Sequence, residues 1–538
     1  MIESYIILLA IVCAVPIAEA WRTTRKKVNG MPLPPGPRLL PFVGNALDID
    51  IARPWLTYAK WAKQYGDIVY TRFLGLHFVV INSEKVARAI VDKRSAIYSD
   101  RPHNATNEYF GMSFNTALLP YGDTFRTHRK IFHQTLRAEA SNSYQDLYLR
   151  KAHELVVNLL DAPEDIERHF NTLSASLIMA VTYGYETKPR DDPFVNSVQK
   201  VIRIATHALS PETSAWMMLF ASPDRLPSFF PGGKYMKQAP ECRRLVKEVM
   251  EKPFEYVKKQ MAKGVAHPSM VSDFLNQGDK SQVHAHEQMM KEVAAAGYIA
   301  GSETTSSTMH MLILALLLYP EVQARARAEI DAVCGSDRIP TLHDRNSLPY
   351  IEATCREILR WKPVVPLGIP HATSSDDVYD GFFIPKGVLI SASRVTDRVS
   401  QRDGFIVANS SHRVMAHDEE IYPNPSRFDP SRHLTADGKL KGEPTSSHFV
   451  FGYGRRICPG RFFSDNAIWA SVVSILSTVE ITNAKDEDGK DIDVKPEFTS
   501  GLSIHPTPFP CSIRSVSSAR EAQMRMMWKA DPVTGKPV

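Results

Sequence analysis

One cysteine lies in a setting that favours chemistry at its sulfur. Cys458 belongs to the glycine-rich segment 451–460 (FGYGRRICPG), and Pro459 suits the first position of a helix. The unpaired amides and the positive dipole end of a helix start stabilise a thiolate over a thiol, and an anionic sulfur is a strong metal ligand. The cysteines interpreted instead as inert core residues are Cys242, Cys334 and Cys355.

The residues around Cys458 match the needs of a large, flat cofactor. Gly454 and Gly460 carry no side chain that would keep a flat macrocycle away from the backbone. Phe451 can screen the sulfur from water, and Arg456 can pair with a carboxylate. Haem combines an iron ion, a flat ring and carboxylates. The segment therefore predicts a haem site in which Cys458 binds the iron.

Segment 451–460 resembles the haem-binding signature FxxGxRxCxG of the cytochrome P-450 family, the haem-thiolate monooxygenases, at every specified position. The resemblance covers nearly the whole chain, which is similar to fungal microsomal members near the O-methylsterigmatocystin oxidoreductases. It implies haem b (iron protoporphyrin IX) with Cys458 as the axial thiolate, a ligand that favours O–O cleavage. It also implies that Arg456 holds a haem propionate.

A second motif lies in the longest predicted helix. Residues 300–305 (AGSETT) resemble the oxygen-activation motif (A/G)Gx(D/E)T of the same family. Gly301 would leave room for a diatomic ligand, and the Thr304 hydroxyl can divert a carbonyl one turn earlier and widen the helix locally. By the resemblance, Glu303 and Thr304 are catalytic and relay protons. The alternative is a polar patch on a surface helix.

Glu357 and Arg360 stand three residues apart, on one face of a predicted helix. Such a pair is usually a solvated surface contact. The resemblance implies a structural role instead, with the pair buried and joined by a second arginine, Arg432. His433 stands where the family usually has phenylalanine, and we expect this to weaken the packing around Arg432.

Two further residues are implied haem contacts. His371, in segment 367–371 (LGIPH), matches a position at which the family contacts a propionate. Arg129 matches the arginine of the WxxxR motif of the family, in which Phe125 replaces the tryptophan. The resemblance therefore implies that both His371 and Arg129 bind the cofactor. The hydrogen bond that the indole of the tryptophan would donate is lost, because Phe125 has no donor.

The rest of the chain predicts an α+β fold that is predominantly α. A run rich in β-branched and aromatic residues around Gly75 predicts a hairpin over 67–82, and Ser83 is expected to cap the next helix. Helical spacing dominates the middle of the chain, and its longest segment, 283–318, would be about 50 Å long. A last helix covers 460–478. The resemblance implies the cytochrome P-450 fold with small segregated antiparallel sheets.

The chain divides into four predicted regions. Residues 1–21 are mainly apolar and a basic run follows, which predicts a single-pass signal anchor with the rest of the chain facing the cytoplasm, at the endoplasmic reticulum by the resemblance. A cleaved secretory peptide and a tilted or interfacial helix are the alternatives. Residues 22–37 form a basic, proline-rich hinge, 38–514 the haem-thiolate domain and 515–538 a polar, peripheral tail.

Residues 391–407 (SASRVTDRVSQRDGFIV) look like an insertion in the pattern of the family. They separate an IPKG turn from a typical AHDEEIYPNPSRFDP run, and they show no clear hydrophobic period. Two interpretations stay open. The segment is either a genuine surface loop or the product of a retained intron or gene-model error.

Composition limits the classes of function. The 538-residue chain has 64 Lys and Arg against 59 Asp and Glu, a net charge of +5 that is too small and too evenly spread for a nucleic-acid protein. The six cysteines include no CxxC pair, which argues against a zinc module or a disulfide scaffold. No dinucleotide-binding or Walker motif occurs, so electrons must come from a partner. The resemblance implies an NADPH-cytochrome reductase, with cytochrome b5 as a further candidate.

The predicted function is monooxygenation, in which one atom of O₂ enters a hydrophobic organic substrate and the other leaves as water. By the resemblance, the substrate pocket is built from segments 110–119, 216–220, 364–368 and 499–504, most of them apolar. They favour polyketide, terpenoid, steroid or polycyclic aromatic substrates, in secondary metabolism or xenobiotic oxidation. The alternatives are an isomerase or dehydratase that needs no reductase, and a non-catalytic haem-binding membrane protein disabled by the insertion.

Overall fold

The computed structural model describes residues 27–529 apart from 29, 42, 103, 219–224, 231, 277–279, 336–337 and 388–404. The predicted anchor, most of the predicted insertion and the end of the tail lie outside these residues. Within the described ranges, no helix is both long enough and apolar enough to cross a membrane.

Helices make up most of the described chain, and the strands occur in small groups. The helices are α1 (Pro54–Tyr65), α2 (Glu84–Ala87), α3 (Thr106–Tyr109), α4 (Asp123–Leu136), α5 (Ala138–Asn142), α6 (Gln145–Asp161), α7 (Ile166–Tyr183), α8 (Pro193–Ala208), α9 (Pro211–Met218), α10 (Gly233–Met236), α11 (Ala239–Ala262), α12 (Met270–Leu275), α13 (Lys280–Leu318), α14 (Pro320–Cys334), α15 (Pro349–Trp361), α16 (His412–Met415), α17 (Arg461–Thr478) and α18 (Ser518–Lys529). The strands are β1 (Lys27–Val28), β2 (Met31–Pro32), β3 (Ile68–Phe73), β4 (Leu76–Ile81), β5 (Asp377–Tyr379), β6 (Phe382–Ile384), β7 (Phe405–Ser410), β8 (Val479–Asn483) and β9 (Cys511–Ser515).

The sheets are small, as predicted, but one of them is mixed. The antiparallel pairs are β1–β2, β3–β4, β5–β6 and β8–β9. The β3–β4 hairpin turns at Leu74 and Gly75, which both have positive φ. Strand β7 joins the other side of β4 in a parallel direction. A parallel neighbour requires a long connection, and here most of the helical body lies between the two strands in the chain.

Helix α13 is the predicted long helix and packs most extensively against α7. Its 39 residues span about 58 Å. A Cβ atom added at Gly301 would lie 3.0 Å from Cγ1 of Ile178 on α7, so the glycine permits close packing of the two helices. This contact is one requirement for a glycine here, and the predicted space for a diatomic ligand stays a prediction.

The carboxyl-terminal region is packed against the body, in contrast to the predicted peripheral tail over 515–538. Helix α18 lies against α6, and the side chain of Met524 is fully buried. Arg520 donates to the Asp331 carboxylate and to the carbonyl oxygen of Gly335, each at 2.7 Å. The tail was predicted to be peripheral because its composition is polar, but it forms an amphipathic helix with a short apolar face.

A buried ionic cluster joins α15 to the segment that follows α16. Glu357 and Arg360 are both fully buried, and the arginine donates to the carboxylate at 2.7 and 2.8 Å. Nε of Arg432 donates to Oε1 of Glu357 at 3.0 Å, so the three predicted structural residues meet. Nε2 of His433 lies 2.9 Å from Oε2. His433 therefore adds a contact to the cluster instead of weakening it.

The cluster keeps its carboxylate ionised. Burial alone would raise the pKa of Glu357, but hydrogen bonds from Arg360 and His433 outweigh this effect and lower the pKa to about 2. The negative charge is thus present at neutral pH, and it compensates the buried arginines around it.

We expect Glu357→Gln to lower the free energy of unfolding by about 3–5 kcal/mol, because Arg360 and Arg432 would keep buried charges without their carboxylate. Urea or thermal unfolding of the purified protein measures the change. Glu419→Gln is the matched control, since Glu419 pairs with Lys63 at 3.6 Å with side chains 72% and 82% exposed. Its loss should stay below about 0.5 kcal/mol. Equal losses for the two variants would contradict the role assigned to Glu357.

Candidate functional site

A cavity of about 340 Å³, called the main cavity below, contains Cys458 in its lining. Its walls come from α4, α7, α13 and α15, the turn after α15 and the cysteine loop at 450–460. The lining includes Phe125 and Arg129 on α4 and Thr304 on α13. Distant parts of the chain thus place the predicted thiol ligand and the predicted relay hydroxyl around one space.

The cysteine loop is held by backbone geometry. Two short 3-10 turns end at Phe451 and Arg456, and the amide of Cys458 donates to the carbonyl oxygen of Phe451 at 2.7 Å. Phe451 and Cys458 both line the main cavity, as predicted for a screen beside the sulfur. Helix α17 begins at Arg461, so Pro459 precedes the helix and does not open it.

The protein alone does not turn the Cys458 thiol into a thiolate. Burial raises the pKa of the thiol, and the amide of Gly460 and the charges of Arg129 and Arg461 oppose this effect without cancelling it. The predicted preference for a thiolate at a helix start is therefore not met by the protein alone. A coordinating metal ion deprotonates a thiol outright, so the site suits a thiolate when a metal is bound.

Gly454 serves the packing of the loop rather than the main cavity. Its φ is +57°, and a Cβ atom there would lie 2.6 Å from the carbonyl oxygen of Val91 and 2.8 Å from Cβ of Ser95. Its amide donates to the Asp92 carboxylate at 3.1 Å. Gly460 lines the main cavity, whereas Gly454 does not. Only Gly460 of the two glycines thus lies where a flat ring would bind.

Arg456 lines the main cavity and is held by carbonyl groups and an aromatic ring. It donates to the carbonyl oxygens of Ser99 at 2.7 Å and Leu119 at 2.8 Å. Its guanidinium lies 3.7 Å from the ring centroid of Phe125. Phe125 thus supports Arg456 through a cation–π contact at the position where the family has tryptophan.

Arg101 is a residue of the main cavity that sequence reasoning missed. It donates to the carbonyl oxygens of Ala117 and Ile369, each at 2.8 Å. Burial, and then the charge of Arg456, lower the pKa of Arg101 well below its usual value. The only signal in the sequence was an arginine before Pro102, which marks no function by itself.

His371 and Arg129 also line the main cavity, as predicted. Arg129 donates to the carbonyl oxygen of Ile457 at 2.7 Å. Nδ1 of His371 lies 2.7 Å from the carbonyl oxygen of Tyr98 and must donate to it, so Nε2 can donate to a carboxylate only in the imidazolium form. Burial, and then the charge of Arg101, lower the pKa of His371. An anionic ligand would reverse this tendency.

The residues of the main cavity fit haem. Arg101, Arg129 and Arg456 are bonded to carbonyl oxygens, and within the described residues none of them forms an ion pair with a carboxylate. A ligand that carries carboxylates would satisfy these cations, while a metal in the same ligand would deprotonate Cys458. Haem has both features, and the rest of the lining is largely apolar, as a porphyrin ring requires.

Thr304 and Glu303 face different spaces. Thr304 lines the main cavity, and its hydroxyl donates to the carbonyl oxygen of Ala300 at 3.2 Å, one turn earlier as predicted. Oε1 of Glu303 accepts from the hydroxyls of Ser503 at 2.9 Å and Ser307 at 3.4 Å. Consecutive helical residues point about 100° apart, which places this carboxyl outside the main cavity.

Glu303 lines a second cavity of about 80 Å³. The lining is mostly polar and includes Asn171, His310 and His505. Burial raises the pKa of Glu303, against a smaller lowering by the hydrogen bond from Ser503 and the charge of His505. The carboxyl thus holds a proton more readily than a solvated glutamate does, next to the helix turn that carries Thr304.

A serine of α7 is inserted into the hydrogen-bond ladder of α13. The hydroxyl of Ser174 donates to the carbonyl oxygen of Gly301 at 2.6 Å and accepts from the amide of Ser306 at 3.2 Å. An inserted side chain of this kind is one of the causes of local bending and opening in helices. Helix α13 stays continuous through this turn, and the predicted widening at Thr304 stays a prediction.

The predicted substrate segments are only partly brought together. Parts of 110–119 and 364–368 line the main cavity, but Phe110 itself is buried in the core. Residues of 499–504 line the second cavity instead. The end of 216–220 lies outside the described residues.

The family model described as cytochrome P-450 matches residues 34–396 and 405–511. The residues between these two ranges, 397–404, fall within the predicted insertion. Strand β7 begins at Phe405, so the last three residues of 391–407 belong to a strand, and the bounds of the insertion stay a prediction.

The chain is similar to curated fungal proteins over most of its length. It is 34% identical to cytochrome P-450 monooxygenase ple1 of Rhodocybe pseudopiperita, over 96% of this chain and 95% of the relative. Identity is 36% with monooxygenase 105 of Postia placenta, over 90% and 89%, and 35% with claR of Ampulloclitocybe clavipes, over 92% and 88%. With its cysteine loop and cationic cavity in place, the chain belongs to the cytochrome P-450 family and is a monooxygenase that uses haem b.

Proposed function

We propose that the protein inserts one atom of O₂ into a hydrophobic organic substrate with electrons from an NADPH-cytochrome reductase. The observation that carries this proposal is that the Cys458 thiol and the Thr304 hydroxyl line the same, largely apolar cavity. When bound, haem b supplies the oxygen chemistry and accepts the electrons. The protein supplies the sulfur ligand, the charges that orient the cofactor, a dry pocket and the protons.

Different residues of the main cavity bind the iron, exclude water and orient the ring. Cys458 binds the iron through its sulfur, and Phe451 limits access of water to it. Arg101, Arg456 and neighbouring cations orient the ring by binding its carboxylates. Because the arginines are themselves held by carbonyl oxygens, they orient the cofactor without large motions.

Protons reach the main cavity through α13. Thr304 presents its hydroxyl proton at Oγ1 in the main cavity, and the raised pKa of Glu303 favours a proton on its carboxyl in the second cavity. Transfer between them requires the Glu303 side chain to turn or a water molecule to bridge the helix. The raised pKa of Glu303 supports its role as the donor in this step.

The apolar part of the main cavity supports a polyketide, terpenoid, steroid or polycyclic aromatic substrate. Its side chains include Phe132, Leu177, Ile178 and Val365. We further propose that the chain acts at the endoplasmic reticulum, with residues 1–21 as a single-pass anchor and the catalytic domain facing the cytoplasm. We also propose cytochrome b5 as a second electron-transfer partner. Within the family, we place the chain near the O-methylsterigmatocystin oxidoreductases.

Product analysis with isotopically labelled O₂ tests the proposed reaction. Full-length protein is reconstituted with haem, NADPH-cytochrome reductase and lipid, and a panel of the four substrate classes is supplied. We expect one labelled oxygen atom in a product that forms only when both NADPH and reductase are present. A product that forms equally well without them would contradict the proposal and favour isomerase or dehydratase chemistry on a peroxide.

We expect Cys458→Ser to abolish the far-red-shifted Soret maximum that the reduced, CO-treated protein shows when a thiolate binds the iron, because a serine hydroxyl does not replace the sulfur. Cys511→Ser is the matched control, since Cys511 lies in β9 and does not line the main cavity. The absorption spectrum of each variant is recorded with protein of verified fold. An unchanged Soret maximum in Cys458→Ser would refute the assignment of the ligand.

We expect Thr304→Val to lower the yield of oxidised product per NADPH by about tenfold or more and to increase hydrogen peroxide, because the proton donor of the main cavity is lost. Haem content should stay unchanged. Thr354→Val is the control, since Thr354 also donates to a carbonyl four residues back, Tyr350 at 2.8 Å, but lies on α15 outside the main cavity. Equal coupling of NADPH to product in both variants would exclude the relay role.

A further inference from the structure

A lysine forms a second positive part of the main cavity. Lys362 follows α15 and belongs to the lining. Its Nζ atom lies 5.4 Å from the ring centroid of Trp361 and 5.1 Å from that of Phe498. Within the described residues, this ammonium therefore lies against two aromatic faces, which attract a cation but do not neutralise it.

The charges nearest to Lys362 are also positive. Arg360 is neutralised by Glu357, but Arg413 donates to the carbonyl oxygen of Trp361 at 3.1 Å and, within the described residues, has no carboxylate partner. Lys362 has none there either. Burial, and then the charges of Arg413 and Arg360, lower the pKa of Lys362 to about 7.

This positive part is separate from the group that fits the haem carboxylates. The charges that act on Lys362 are those of Arg413 and Arg360. Those that act on Arg456 are the charges of Asp100 and Arg129. The two cations therefore have different charged neighbours.

Lys362 lies beside the segments expected to contact substrate. Val364 lines the main cavity two residues later, and its carbonyl oxygen accepts from the amide of Ile504 at 2.8 Å. Phe498, which covers Lys362, begins the hairpin that contains Ile504. Because Lys362 itself belongs to the lining, an anionic group of a substrate in the main cavity would lie close to this side chain.

We infer that Lys362, with Arg413 behind it, binds the carboxylate of an amphipathic substrate whose apolar body occupies the main cavity. Lys362 and Arg413 are half-buried cations with no carboxylate partner in the described residues, and an incoming carboxylate would form a charge-assisted hydrogen bond with the lysine. The inference rests on the proposed function and narrows its substrate class to organic acids with an apolar body.

Optical titration of the haem-loaded, full-length protein tests the inference. The shift of the Soret band on binding gives Kd for two matched pairs of probes, dodecanoic acid with methyl dodecanoate and 1-pyrenebutanoic acid with its methyl ester. We expect the wild type to bind at least one acid more tightly than its ester. In Lys362→Met, Kd for that acid should rise by about tenfold or more, while Kd for the ester changes less than about twofold.

Two further variants make the result specific. Lys362→Arg should retain most of the preference for the acid, because the charge is kept. Lys495→Met, at an exposed lysine, should behave like the wild type. A wild type that prefers neither acid to its ester, or a Lys362→Met variant that keeps the preference, would overturn the inference.

The titration needs neither NADPH nor reductase, so it is independent of the reaction. Loss of reductase-dependent oxygen insertion with an intact acid preference would reject the proposed function but not the carboxylate site. The opposite pattern would reject the site and leave the reaction standing. The CO spectrum of each variant confirms that the cofactor is bound through Cys458.

Discussion

One ionised carboxylate, that of Glu357 on α15, connects three segments of the chain that precede the cysteine loop. Glu357 holds Arg360 and Arg432, and Arg360 also donates to the carbonyl oxygens of Ala416 and Arg427. The helix, the turn after α16 and the segment before the cysteine loop are thereby fixed to one point. Ionic clusters of this kind are poor sources of net stability, since desolvation cancels most of their attraction. Their effect is to specify geometry, and here they fix α15, which lines the main cavity, relative to the chain that leads to the cysteine loop.

Helix α13 separates two environments that the reaction needs at the same time. Thr304 points into a largely apolar cavity, whereas Glu303 points into a polar one. An apolar cavity keeps water away from the reacting atoms, and a polar cavity stores the proton. Ser174 is inserted at the same turn, where its hydroxyl lies between the carbonyl oxygen of Gly301 and the amide of Ser306.

Local patterns in the sequence predicted the local structure well. The β3–β4 hairpin, the Ser83 cap, α13 and α17 all follow from periodicity and turn chemistry within a few residues of each element. The ligand Cys458 could be recognised because its whole motif is contiguous. The features that could not be predicted from the sequence depend on contacts between distant segments.

The residues that were missed or misjudged share this long-range character. Glu303 faces the second cavity because Ser503, two hundred residues away, supplies its partner. A glycine is needed at position 454 because the carbonyl oxygen of Val91 lies too close for a Cβ atom. His433 has a role because it contacts the carboxylate of Glu357. Arg101 becomes significant only beside Arg456. A local sequence pattern does not show which distant segments come into contact, so these roles could be identified only from the fold.

Two groups of cations without carboxylate partners, one around Arg456 and one around Lys362, explain how one cavity could bind the haem propionates and a substrate carboxylate at different places. A carboxylate is attracted to any buried cation, so a single continuous positive wall would let an acidic substrate compete with the haem propionates. Here the charges that act on Arg456 and those that act on Lys362 belong to different residues. By the proposal, the cofactor would also be held through Cys458, a contact that an organic acid cannot make. The substrate can then be released from Lys362 without loosening the groups that hold the cofactor.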